Sequence, residues 1–187
     1  MEKTPRVAVL LAEGFEEIEA VAVIDVLRRG GAAVRLASLG LADRGVTGAH
    51  QIVVMPDTGL DDLRAGDLDM VVLPGGMPGS ATLAADRRVL ALLQAVHAGG
   101  GIVAAICAAP IALQAAGLLA GRRVTCYPSF ESRLVGARVT GRSVESDGRI
   151  ITSRGPGTAI VFGLELLRAL GRGEAADRLR QGMIVEP

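Results

Sequence analysis

"IVAAICAAPIALQAAG", residues 102–117, changes character in its middle. Its first part, through Ile106, is a short apolar run with β-branched residues at 102, 103 and 106, as a buried strand uses, and its second part is the Ala and Leu of a helix. Cys107 stands at the changeover. A strand that turns sharply into a helix exposes the corner side chain, and the small neighbours Ala104, Ala105, Ala108 and Ala109 make room for such a turn. Pro110 suits the first helical turn, where a backbone N–H is not needed. "AAICAAP" therefore has the form of a nucleophile elbow without its usual glycines. The N–H groups and dipole of the following helix favour negative charge at the corner, so the thiol is expected to have a lowered pKa. Free Cys is also among the most buried residue types, and a structural role for Cys107 stays open at this point.

The same alternation extends outward along the chain. "RVAVLLA", "AVRLASL", "QIVVMP", "DMVVLPGG" and "GIVAAI" read as strands, and residues 16–30, 86–98 and 108–119 read as helices. Strands alternating with helices predict βαβ units and a mostly parallel sheet with helices on both faces. Asp147-Gly148 in "RSVESDGRIITS" predicts a β-hairpin, and helices follow at 158–170 and 174–180. With 187 residues and no linker, repeat or low-complexity segment, the expectation is one domain over 1–187.

Half of the residues are hydrophobic, only 2% are aromatic and Trp is absent, so the core must be aliphatic. Lys plus Arg equal Asp plus Glu at 20 each, and no basic run offers itself to nucleic acid or an acidic membrane. No run approaches the roughly 18 apolar residues of a membrane span. "VAVLLA" runs straight into "EGFEEIE", which reads as a first strand rather than a signal peptide, and two cysteines do not make a disulfide framework. A reducing cytoplasm is the expected setting.

In an open α/β sheet, ligands gather at the carboxyl ends of the strands. Those ends carry Glu13-Gly14-Phe15, Gly75-Gly76, Cys107 and Tyr127-Pro128. Glu16, Glu17 and Glu19 open the first helix, where carboxylates favour the dipole. At about 100° per residue, however, Glu19 falls among Val23, Val26 and Gly30, opposite Asp25, Arg28 and Arg29. A half-buried carboxyl has a raised pKa and can serve as acid or base near neutral pH. Ile18 and Val21 share the face of Asp25 and Arg28, so this helix is apolar nearly all round. It needs a second covering surface, either the same helix of another copy or a late helix of the same chain. Gly75 and Gly76 let backbone N–H groups approach an oxyanion at Cys107, joined by the N–H of Ala108. A tight strand-to-helix turn explains the same glycines structurally. His50 and His97 are the two candidate histidine bases, and neither has a local pattern that marks it as one. Cys126 lies mid-strand and reads as core.

"EGFEEIE", "VVLPGG", "AAICAAP" and "TSRGPGTAI", in this order and over nearly the full chain, closely resemble the ThiJ/PfpI superfamily, in the branch of the human parkinsonism-associated deglycase and its bacterial and plant relatives. The resemblance implies a flavodoxin-like three-layer α/β sandwich and a homodimer through the first helix, with Ile18, Val21, Asp25 and Arg28 in the interface. It implies an oxidation-prone Cys107 paired with a protonated Glu19, Gly76 and Ala108 as backbone stabilisers, and Gly75, Tyr127, Gly155 and Pro156 around the pocket. Protease-like members have a histidine directly after the cysteine; here that residue is Ala108. The human relative has a histidine where this chain has Tyr127, and a phenol donates a hydrogen bond at neutral pH but accepts a proton poorly.

The expected activity is a glyoxalase or deglycase reaction on methylglyoxal, glyoxal or glycated adducts, without glutathione, metal or other cofactor. The alternative is a redox-sensing or chaperone-like protein in which Cys107 becomes a sulfinate. A weaker one is a Cys-His hydrolase or amidotransferase-like enzyme, which needs His50 or His97 beside Cys107.

Overall fold

The computed structural model describes residues 3–40 and 42–186. The chain runs β1 (Arg6–Leu11), α1 (Glu17–Arg29), β2 (Ala33–Ser38), β3 (Val46–Thr47), β4 (Val53–Val54), β5 (Thr58–Gly59), β6 (Met70–Leu73), α2 (Gly79–Ala85), α3 (Arg87–Ala98) and β7 (Ile102–Ile106). It continues with α4 (Pro110–Ala115), β8 (Arg123–Val124), β9 (Arg138–Val139), β10 (Val144–Asp147), β11 (Ile150–Ser153), α5 (Ala159–Ala169) and α6 (Gly173–Gly182).

Seven strands form one sheet in the order β10-β11-β7-β6-β1-β2-β5. All its pairings are parallel except the β10–β11 hairpin at Asp147-Gly148. Successive side chains of a strand point to opposite faces. Val7, Val9 and Leu11 accordingly pack with Val23, Val26, Phe162 and Leu166 of α1 and α5. Ala8 and Leu10 pack with Val89 and Leu93 of α3 and Ile111 and Leu113 of α4. The result is the expected three-layer sandwich. Strands buried on both faces explain why the runs are apolar throughout rather than alternating.

Several boundaries differ from the sequence reading. "QIVVMP" contributes only Val53–Val54, which pairs antiparallel with Val46–Thr47 outside the main sheet. Its Ile52, Val53 and Met55 are exposed, so no sheet face was there to extend the strand. The helix expected at 108–119 starts at Pro110 and stops at Ala115, because the elbow turn uses the first residues and Gly117 takes a positive φ of 74°. "VVLPGGMPGS" is a strand and turn followed by α2, a helix that the glycines and prolines had hidden. "RVTC" forms a two-residue strand in parallel register with Arg138–Val139.

Both proposed coverings of α1 can be compared with its surface. α5 packs against the Val26 side, where a Cβ on Gly163 would come within 2.9 Å of Val26 Cβ. Ile18 and Val21 stay 59% and 48% exposed, next to Asp25 and Arg28 on the uncovered side. Among the described residues, no helix is long and apolar enough to cross a membrane.

Candidate active site

Cys107 has φ 65°, a left-handed conformation that a non-glycine residue adopts only when its surroundings impose it. Two bonds impose it here. The Cys107 N–H donates to the Ser153 carbonyl at 3.0 Å, and the Cys107 carbonyl accepts from the Tyr127 N–H at 2.9 Å. The elbow is therefore tied on both sides while its sulfur is lifted off the end of β7. The backbone N–H groups of Ala108 and Gly76 point at that sulfur.

Glu19 is 0% exposed. Its Oε2 accepts the Gly75 N–H at 2.8 Å, while Oε1 has no N–H or O–H partner and the carboxyl hydrogen-bonds the Cys107 thiol. Gly75 separates the two reactive groups, because a Cβ there would collide with Glu19 Oε2 and lie 2.6 Å from Cys107 Cβ. Glu16 caps α1, its Oε2 accepting the Glu19 N–H at 2.7 Å. That contact fixes the backbone of Glu19 and sets a negative charge near it.

Burial, aided by the Glu16 charge, lifts the Glu19 carboxyl to about 7, against the pull of its hydrogen bonds from Cys107 and Gly75. Burial, then the charge and hydrogen bond of the Glu19 carboxylate, push the Cys107 thiol up to about 12, with the Ala108 and Gly76 N–H groups pulling the other way. The expected lowering of the thiol is therefore not borne out: desolvation and a facing carboxylate outweigh two backbone donors. A proton on Glu19 removes the carboxylate's share of that push and makes Glu19 a donor toward sulfur. Forming the thiolate is therefore easier when Glu19 is protonated than when it is a carboxylate.

The histidines lie elsewhere. His50 caps the β3–β4 hairpin, with its Nδ1 2.8 Å from Glu17 Oε2 and its N–H donating to Glu17 Oε1 at 2.6 Å. The bond to Glu17 raises the His50 pKa. Burial works the other way on Glu17, but the His50 and backbone bonds leave its carboxyl lowered. Glu16, Glu17 and His50 have ligand-type atoms within 4.8 Å of one another; Glu17 already accepts the His50 and Ile52 N–H groups. His97 sits in the last turn of α3, near Arg122 and Arg149, at the opposite end of the sheet from Cys107. A hydrolase built on either imidazole has no His–Cys107 bond to rest on.

The expected wall residues follow the elbow. The Tyr127 ring lies against Gly155, where a Cβ would meet its Cδ2 at 3.3 Å. Gly155 donates its N–H to Thr158 Oγ1 at 3.1 Å, and Pro156 begins the turn to Thr158. Cys126 is buried with α4 side chains, and burial, with Glu131, pushes its thiol up to about 11. Sequence reasoning missed the cap role of Glu16 and the Glu17–His50 pair. "EGFEEIE" contained the glutamates, but only the folded hairpin shows which one meets His50.

A thiol at positive φ on the carboxyl end of a parallel strand, hydrogen-bonded to a buried carboxyl across a glycine, defines a class of cysteine-centred α/β proteins. The chain belongs to the DJ-1/PfpI family, whose model matches residues 5–169. Protein dj-1beta of Drosophila melanogaster is 40% identical over 179 residues, 95% of each chain. Its crystal structure matches with a TM-score of 0.93 at 39% identity, covering 99% of this chain and 100% of that one. The glutathione-independent glyoxalase DJR-1.2 of Caenorhabditis elegans is 36% identical over 169 residues, 89% of each chain.

Proposed function

We propose that this protein is a cysteine-dependent, glutathione-independent glyoxalase or deglycase-type stress protein that converts methylglyoxal or glyoxal to lactate or glycolate. The observation that carries the reading is the Cys107–Glu19 pair across Gly75, flanked by the Gly76 and Ala108 N–H groups. The glyoxalase named among its relatives supports it.

In this reading the Cys107 thiolate adds to the aldehyde carbon, and the Gly76 and Ala108 N–H groups hold the oxyanion. Glu19 passes the thiol's proton to that oxygen and then, as carboxylate, removes the hydrogen of the same carbon to give an enediol and returns it as a proton to the neighbouring carbon. The aldehyde carbon is thereby oxidised to a thioester and the ketone carbon reduced to an alcohol. Water cleaves the thioester, releases lactate and regenerates the thiol. No metal or outside reductant enters the balance. Glycated adducts that release or form the same hemithioacetal are further substrates.

The test is methylglyoxal loss with lactate quantified, using reduced, metal-free protein beside Cys107→Ser and Glu19→Gln. Turnover abolished by both substitutions supports the reading; turnover that survives either one refutes it. The second reading, redox sensing through a Cys107 sulfinate, draws on the same donors, since two N–H groups and a protonated Glu19 suit anionic oxygens. It predicts no turnover by the fully reduced protein.

The working form in this proposal is a cytoplasmic homodimer. Ile18 and Val21, with Ile52, Val53 and Met55 of the neighbouring hairpin, give the apolar surface that a second copy would cover. Val21→Asp is expected to yield monomers by light scattering, and an unchanged dimer would place the interface elsewhere.

A further inference from the structure

We propose that Tyr127 sets substrate choice at the thiol, favouring α-oxoaldehydes whose second substituent is aromatic over those with a methyl group. The proposal rests on the dicarbonyl reading above and deepens it.

Tyr127 is held to the elbow by a closed circuit. Its N–H donates to the Cys107 carbonyl at 2.9 Å, and its ring rests on Gly155. Gly155 is bonded to Thr158 Oγ1, which lies 2.7 Å from Ser153 Oγ, and the Ser153 carbonyl accepts the Cys107 N–H. The ring, carried by the segment after β8, thus lies against the loop that follows β11, on the side of β7 away from the Gly75–Gly76 loop that follows β6. Tyr127 is 45% exposed, and its hydroxyl has no hydrogen-bond partner among the described residues. Any side chain on Gly155 would crowd the ring, so the glycine gives it this seat.

The chemistry gives that ring a task. When the thiol adds to an α-oxoaldehyde, the S–C bond forms, the C=O π pair moves to oxygen, and oxygen takes the thiol proton; nothing is oxidised or reduced. The new oxygen is drawn to the Gly76 and Ala108 N–H groups. The remainder of the substrate is left on the Tyr127 side of the sulfur. An aryl group there stacks on the exposed ring, whereas a methyl group covers little of it.

The experiment measures how methylglyoxal and phenylglyoxal each protect Cys107 from iodoacetamide, by mass spectrometry, in the reduced wild type, Tyr127→Phe and Tyr127→Ala. The ratio of the two protecting concentrations is compared between variants, which cancels their different intrinsic affinity for thiols. Phenylglyoxal is expected to lose about fivefold relative to methylglyoxal in Tyr127→Ala and to keep its advantage within about twofold in Tyr127→Phe. A Tyr127→Ala ratio equal to that of the wild type overturns the proposal. Lactate and mandelate are quantified in parallel. A shifted ratio without any turnover would refute the dicarbonyl enzyme and leave the aromatic wall standing; turnover with an unmoved ratio would refute the wall alone. Because Tyr127 is the only tyrosine and the chain has no Trp, native tyrosine emission reports from this position. Phenylglyoxal at full protection of Cys107 is expected to quench it, and unchanged emission would also overturn the proposal.

Discussion

The two ends of the parallel sheet have opposite characters. At the amino ends of the strands lies a cavity of about 530 Å³, lined by Lys3, Asp69, Gly99, Gly100, Gly101 and Arg149 among others. Its carboxylate is paired: Asp69 takes Lys3 Nζ and the Arg6 N–H, each at 2.8 Å. At the carboxyl ends a cavity of about 470 Å³ opens beside β1 and β2, with Leu11, Ser38 and Thr82 in its lining and Cys107 outside it, while the thiol sits at positive φ and a buried carboxyl leaves one oxygen without a hydrogen-bond partner. Unsettled groups, rather than empty volume, mark the reactive end.

The largest expected contrast is kinetic. Glu19→Gln should lower kcat for methylglyoxal by about 10³-fold, within the range for loss of an acid–base group. His97→Asn at the amino end should leave kcat/KM within about twofold, as a substitution that touches no reacting atom. A comparable loss from His97→Asn would move the active centre to the other end of the sheet.

Sterically, the two ends should also part. Gly75→Ala drives a methyl group into Glu19 and Cys107 and should cost about 2–3 kcal/mol of stability in denaturant titration. Gly66→Ala, in the lining of the amino-end cavity with nothing within 4 Å of its Cβ, should change stability by no more than about 0.5 kcal/mol. Equal costs would mean that Gly75 is not the pinch point of the site.

The carboxyls at the two ends should respond to pH with opposite signs. Glu19 is raised from 4.5 to about 7. Its neutral form is favoured by the fold, so its contribution, at most about 3 kcal/mol, is complete below pH 4.5 and lost as pH rises through 7. Asp69 is partly buried, but Lys3 and the Arg6 N–H hold it below its ordinary value. Its contribution is present above pH 3.8 and lost on acidification. Thermal unfolding of Glu19→Gln should lose the decline between pH 4.5 and 7, and retention of that decline would assign it to another group.

The smallest effect belongs to the exposed Lys3–Asp69 pair. Lys3→Ala should cost under about 1 kcal/mol, less at high salt, because the ammonium is largely solvated. A larger loss would mean that the amino-end cavity is held together by this one contact.

Much of the reactive end was legible in the chain itself. The switch from strand to helix places Cys107 at a corner because side-chain periodicity follows backbone geometry. The 100° wheel places Glu19 on the buried side of α1 for the same reason. The hairpin at Asp147-Gly148 was equally local. The short pieces were not legible: Val53–Val54 and Arg123–Val124 are too brief for periodicity to speak, and α2 lies behind a Gly-Pro pattern that reads as a turn.

The sequence by itself therefore determined the layers of the sheet, the corner thiol and the face of α1 that carries Glu19, since each follows from the chain's own spacing. Only the tertiary structure decided that Gly75 brings the carboxyl against the sulfur, that burial and the facing charge push that sulfur up rather than down, and that Tyr127 reaches Gly155 across two loops. Those are contacts and desolvation between segments distant in sequence, and no local pattern encodes them.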